Sequence, residues 1–177
     1  AALHVAFMGA GSLAGSRVRG LQAGGYPGDD IVAADPAQSQ LDALATLGIS
    51  TTENNAQAVA QAEIIVLAIK PQITGDVVQA LPALQPDQLV ISIVAGIDTR
   101  SLGDWLPVRQ PIVRCMPNTP ALLGAGITGL YANSWVTDIQ RGEAEAILNG
   151  VGSSVWVSAE SQLDAVTAVS GSGPAYC

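Results

Sequence analysis

The residues best suited to chemistry in this chain begin with three that matter for how little they carry. Gly9, Gly11 and Ala14 form a Gly-x-Gly-x-x-Ala pattern within Met8-Gly-Ala-Gly-Ser-Leu-Ala14, after an apolar run and before a helical one. Gly9 permits a tight turn. Gly11 has no Cβ to hold a pyrophosphate off the backbone, and Ala14 lets the helix pack closely on the strand. The helix start then offers free N–H groups and partial positive charge to phosphates. The pattern implies dinucleotide binding, against the plainer reading of a structural glycine turn. Asp35 closes the next apolar run, about 20 residues on, where a carboxylate accepts hydrogen bonds from the adenine ribose. It would repel a 2′-phosphate and so favours NADH over NADPH within an NAD(P)H class. The other reading of Asp35, a cap for the helix from Ala37, is compatible with the first.

Three later run ends carry further candidates. Ala68-Ile69-Lys70-Pro71 puts an ammonium where cofactor or substrate is expected, or else a solvated loop lysine. Val94-Ala95-Gly96 offers small residues beside which a planar ring can lie, or a simple turn. Asn118 and Thr119, in Arg114-Cys-Met-Pro-Asn-Thr-Pro120, can hydrogen-bond a carboxamide or substrate; Asn118 also suits an Asx turn.

These positions share one trait: each follows a strand. The apolar runs predict strands over Leu3–Met8, Ile31–Asp35, Ile49–Thr52, Ile64–Ile69, Leu89–Val94, Ile112–Met116, Ile127–Ala132 and Ser153–Val157. Helices are predicted over Ser12–Gly24, Ala37–Leu47, Asn55–Ala62 with Asn55 as its cap, and Gln72–Leu84 with a break near Pro82. Others follow over Thr99–Trp105, Thr137–Leu148 and Gln162–Val169, and Ser170–Pro174 reads as a turn that starts one more. Strands apolar throughout are covered on both faces. The fold class is therefore α/β, a doubly wound, Rossmann-type, mostly parallel sheet with helices on both faces. Ligands of such sheets bind outside the carboxyl ends of the strands.

The 177 residues are 49% hydrophobic and 12% charged, which suits a folded domain with a real core. Net charge is −8 without a Lys/Arg cluster, which argues against nucleic acid or an anionic membrane as partner. No apolar run reaches the roughly 18–20 residues of a membrane span. Cys115 and Cys177 lack metal-ligand spacing, and the single histidine, His4, reads as structural inside the first strand, so no metal site is expected. Two scattered thiols without a targeting signal suit a reducing, cytoplasmic setting. Cys115 reads as a small buried hydrophobe.

Taken with Ser92-Ile-Val-Ala-Gly96 and Asp164-Ala-Val-Thr-Ala-Val-Ser-Gly-Ser-Gly-Pro-Ala-Tyr176, these motifs make the chain resemble the pyrroline-5-carboxylate reductase family. The Met-Pro-Asn-Thr-Pro and Ser-Gly-Ser-Gly-Pro-Ala-Tyr pieces are the specific ones. The resemblance implies hydride transfer from NAD(P)H to the C=N carbon of 1-pyrroline-5-carboxylate, giving L-proline. It implies that Met8, Gly9, Ala10, Gly11, Ser12 and Leu13 hold the pyrophosphate, that Asp35 and Ala37 lie by the adenosine ribose, and that Asn55 lies near the adenine. Ala68, Ile69, Lys70 and Pro71, with Val94, Ala95 and Gly96, would line the nicotinamide half, and Glu160 would lie near the product. A solvated carboxylate at a helix start is the other reading of Glu160. A protonated imine is already electrophilic, so positioning supplies much of the rate and neither nucleophile nor triad is expected.

Family members continue into a helical domain that forms a homo-oligomer and completes the substrate site. The expected division is a dinucleotide-binding domain over 1–169, with 170–177 opening the helical domain. On that reading the chain alone binds dinucleotide and turns over poorly. The competing readings are a non-catalytic dinucleotide-binding module and another imine or β-hydroxyacid reductase.

Overall fold

In a computed structural model of the chain, residues 3–107, 109–116, 127–148 and 153–163 are described. Strand and helix alternate: β1 (Val5–Met8), α1 (Ser12–Ala23), β2 (Ile31–Ala34), α2 (Gln38–Ala45), β3 (Ser50–Thr52) and α3 (Asn55–Ala60) come first. Then come β4 (Ile64–Leu67), α4 (Pro71–Ala80), β5 (Leu89–Ser92), α5 (Thr99–Trp105), β6 (Ile112–Met116), β7 (Ile127–Ala132), α6 (Asp138–Leu148) and β8 (Ser153–Trp156). Asn118, Thr119, the Ser170–Tyr176 motif, Cys177 and the domain division at residue 169 lie outside the described residues. So does all but the start of the helix expected from Gln162.

The strands form one sheet in the order β3-β2-β1-β4-β5-β6-β7-β8. All pairs are parallel except β6 with β7. The sequence did not foretell that reversal. Its register brings the ends of the central strands level: Met8 pairs with Ala34 and Leu67, and Leu67 with Ser92. The chain therefore leaves β1, β2, β4 and β5 along a single edge.

Alternate residues of a strand point to opposite faces, and the core divides accordingly. Val5, Phe7, Ile64, Val66 and Ile91 pack with Val18 of α1, Leu41 of α2 and Ile147 of α6. Ala6, Met8, Ile65, Leu67 and Val90 pack with Val59 of α3, Val78 of α4 and Leu102 of α5. Fully burying each large side chain of this kind is worth roughly 1.5–3 kcal/mol. The helices change face between β1 and β4, so α1 and α4 leave neighbouring strands on opposite sides and open a crevice between their first turns.

Several boundaries differ from the sequence reading. β2, β4 and β5 end one to two residues early, at Ala34, Leu67 and Ser92, so Asp35, Ala68-Ile69 and Ile93-Val94 belong to loops. β1 starts at Val5, so His4 precedes it; its N–H donates to Glu63 Oε2 at 2.6 Å and its Nδ1 lies 3.5 Å from Asp30. α4 starts at Pro71 and stops at Ala80, short of Pro82, whose missing N–H cannot continue a helix. Asn54, not Asn55, caps α3: Asn54 Oδ1 accepts the Gln57 N–H at 3.1 Å. α6 opens on a reciprocal capping box between Thr137 and Gln140. Cys115 is fully buried, and burial pushes its thiol up to about 12.

Candidate functional site

The crevice is built by the backbone first. Gly9 has φ +105°, and a Cβ there would stand 2.3 Å from the Ala68 carbonyl oxygen. Its N–H donates to Ala34 O at 2.7 Å, while the Ala68 N–H donates to Met8 O at 2.9 Å. The turn after β1 is thus pressed against the end of β4, and only glycine fits. Gly11 is different. It has φ −78°, and a Cβ on it meets nothing within 4 Å. Among the described residues nothing sets a steric demand at Gly11, which opens the first turn of α1 beside the crevice.

Gly11 is the N-cap of α1 and supplies no side-chain cap. The first bond of the helix runs from Gly15 N–H to Gly11 O at 3.0 Å. The N–H groups of Ser12 and Leu13 precede it and have no intrahelical acceptor. Ala14 is fully buried, as close helix packing on the sheet requires.

Asp35 ties this turn to the next loop. Its Oδ2 accepts the Ala10 N–H at 2.9 Å and its Oδ1 the Ala37 N–H at 2.8 Å. The second bond is the local i to i+2 contact of an Asx turn; the first crosses from β2 to β1. A carboxylate offers about four acceptor positions, so Asp35 keeps capacity for a ligand while its orientation is fixed from both sides.

On the far side, Lys70 is the sole lysine of the sequence. It is exposed, sits at the N-cap of α4, and makes no ion pair among the described residues. Pro71 occupies the first turn, and the buried Thr74 hydroxyl donates to Lys70 O at 2.8 Å. The apolar Leu13 and Ile73, 40% and 44% exposed, lie in the first turns of α1 and α4, one on each side of the crevice. After β5, Val94 is buried while Ala95 and Gly96 are exposed, with Gly96 at φ +78°. Asn55 makes no side-chain hydrogen bond among the described residues, which leaves its amide free at the start of α3.

Glu160 is not a solvated helix-start carboxylate. It accepts the Thr99 N–H at 2.8 Å, the Thr99 hydroxyl at 2.7 Å and Arg114 Nη1 at 3.1 Å. Sequence reading missed Thr99 and Arg114 as partners. The signal was present in one of them: a charged residue inside the apolar strand Ile112–Met116 must be paired when buried. Among the described residues, no group of three His, Cys, Asp or Glu side chains could hold a metal ion. None of their helices is long and apolar enough to cross a membrane.

A family model described as NADP oxidoreductase, coenzyme F420-dependent, matches residues 4–96, more than half of the chain. The chain belongs to that family. The matched span runs from β1 through the Val94–Gly96 turn, and so contains every part of the crevice just described. Within the family, the resemblance to pyrroline-5-carboxylate reductases holds over nearly the whole chain. The enzyme of that name from Pseudomonas aeruginosa is 52% identical over 98% of this chain and 64% of its own length. A solved pyrroline-5-carboxylate reductase of Coxiella burnetii superposes with a TM-score of 0.91 at 39% identity, over 98% of this chain and 66% of that one. A pyrroline carboxylate reductase of Plasmodium falciparum with NADP bound gives a TM-score of 0.81 at 26% identity, over 98% and 64%. The chain thus spans about two thirds of the length of these relatives.

Proposed function

We infer that this oxidoreductase reduces 1-pyrroline-5-carboxylate to L-proline with NAD(P)H, in the cytosol, and that residues 1–169 supply the cofactor half of the site. The observation that carries the cofactor assignment is the contrast between the two glycines. Gly9 is demanded by the protein's own backbone, whereas Gly11 faces space that a ligand would fill. The likeness to pyrroline-5-carboxylate reductases supports the substrate.

The residues present fit a dinucleotide. Ser12 and Leu13 N–H groups, with the positive end of α1, would hold the pyrophosphate, and Met8, Gly9, Ala10 and Gly11 shape the turn that admits it. The Ala10 N–H is already committed to Asp35. Asp35 and Ala37 would meet the adenosine ribose, and Asn55 the adenine. The anionic Asp35 disfavours a 2′-phosphate, which sets NADH ahead of NADPH. Ala68, Ile69, Lys70 and Pro71, with Val94, Ala95 and Gly96, would bound the nicotinamide half. Lys70 places its positive charge there in a chain whose net charge is −8.

A bound NAD(P)H would supply a hydride to the carbon of the protonated imine, and the C=N electron pair would come to rest on the nitrogen, which keeps its proton and loses its positive charge. The protein's part is to orient the reactants and exclude water. Asn118 and Thr119 are assigned to the substrate as hydrogen-bonding partners, with Glu160 near the product.

The test is consumption of NADH or NADPH on addition of 1-pyrroline-5-carboxylate, with proline identified as the product. Run on a protein of residues 1–177 and again with the remaining third of a relative joined to it, activity is expected in the second case and little in the first. Dinucleotide binding without turnover in both would favour a non-catalytic binding module.

A further inference from the structure

The turn Val94–Gly96 has few anchors of its own. Ala95 and Gly96 are exposed, and a Cβ on Gly96 would meet no described residue within 4 Å. Its leading end is tied to the sheet, where Ile93 N–H donates to Leu67 O at 3.1 Å and Val94 N–H to Ser92 Oγ at 3.3 Å. Its trailing end runs into α5, a helix of only seven residues, too short to hold itself in place. Asp98 caps that helix locally by accepting the Ser101 N–H at 2.8 Å.

Leu102 packs α5 into the core, and the first residue of the helix is held by hydrogen bonds to Glu160. One carboxylate takes both the N–H and the hydroxyl of Thr99, from a position 61 residues away in sequence. The same carboxylate is fixed by Arg114, whose side chain is 8% exposed and lies 3.1 Å away. Arg114 is anchored in turn because β6 is paired on both sides, with Ser92 and Tyr131 as its neighbours. Three of about four acceptor positions on Glu160 are occupied. That arrangement is a cross-link between β6, the start of α5 and the segment after β8.

We propose that Glu160, held by Arg114, is a positioning residue for the nicotinamide side of the crevice: it fixes Thr99 and, through it, the Val94–Gly96 turn. The inference rests on the assignment of that turn to the nicotinamide half. Among the described residues the adenosine half, built from β1, α1 and β2, shares no hydrogen bond with the Glu160 side chain, so the two halves should respond separately.

The experiment compares NADH with ADP-ribose, which lacks the nicotinamide, as ligands of the chain. Thr99→Val removes the hydroxyl and keeps the branched shape; Thr99→Ser keeps the hydroxyl. The Val variant is expected to bind ADP-ribose within about twofold of wild type and NADH about tenfold more weakly, the size of one hydrogen bond to a charged group. The Ser variant is expected to restore NADH binding. Arg114→Lys, which keeps the charge and loses the fork, should show the same selective loss. An unchanged NADH to ADP-ribose ratio in both Thr99→Val and Arg114→Lys, or equal weakening of both ligands, overturns the proposal. If wild type bound neither ligand, the dinucleotide reading itself would fall, and the proposal with it.

Discussion

Placing alanine at Gly9 and, separately, at Gly11 separates what the fold needs from what a ligand needs. At Gly9, φ is +105° and the new Cβ would lie 2.3 Å from the Ala68 carbonyl oxygen, with Ile69 Cγ2 at 2.9 Å. Holding a non-glycine residue in such a conformation costs of order 1–3 kcal/mol. Relieving the overlap with backbone, which cannot swing away, adds about 1–3 kcal/mol more. Gly9→Ala should therefore cost about 4 kcal/mol, a fall in Tm on the order of 10 °C at 2–4 °C per kcal/mol for a chain of this size. At Gly11 the backbone is extended and the Cβ meets nothing. There alanine loses only the preference of an N-cap for glycine, about 0.5–1 kcal/mol. The assays are thermal unfolding of each variant and fluorescence titration with NADH. Gly11→Ala is expected to melt within about 3 °C of wild type yet bind NADH at least tenfold more weakly, because the methyl occupies the approach of the pyrophosphate. Gly11→Ala that binds NADH normally, or that melts as early as Gly9→Ala, would overturn the division of roles between the two glycines.

Asp35→Ser should raise the NADH Kd, since the Ala10 N–H loses its acceptor, and should improve NADPH relative to NADH by about tenfold; paired titrations that leave the ratio unchanged count against a role at the ribose. Cys115 should resist alkylation at pH 8 in the native protein and react on unfolding, because burial holds its thiol near 12, and site-resolved mass spectrometry separates it from Cys177. Asp98 is held below the ordinary carboxyl value of 3.8, first by the Ser101 backbone N–H it accepts and then by the Ser101 side chain. A depressed folded pKa contributes stability above the unfolded value and loses it as pH falls through the folded one. The destabilisation by Asp98→Ala should accordingly be full at neutral pH and shrink below pH 3.8, as Tm measured against pH would show.

The parts of this fold that the sequence made legible are those where burial dictates residue type over several positions. Ile64-Ile-Val-Leu67 is apolar throughout because helices cover both faces of β4. The strand ends were overrun for the same reason. Ala68, Ile69 and Val94 stay apolar after the backbone has left the ladder, so composition does not mark where pairing stops. Asn54 and Asn55 carry the same side chain, and only backbone geometry decides which caps α3. The antiparallel turn of β7 against β6 depends on how ten residues, 117–126, connect the strands, and periodicity says nothing of that. At the site, Gly9, Gly11 and Asp35 were readable as a local pattern. Their division of labour was not: the Ala68 carbonyl that forbids a Cβ at Gly9 is 59 residues away. The Glu160 cross-link joins residues 46 and 61 apart, beyond any motif.

The fate of the transferred hydride tests the proposed reaction itself. NADH deuterated at the transferable C4 position, incubated with 1-pyrroline-5-carboxylate and the protein completed by the helical third of a relative, should yield proline with one deuterium on the ring carbon that was the imine carbon. Cofactor oxidation without substrate-dependent deuterium in proline would contradict it.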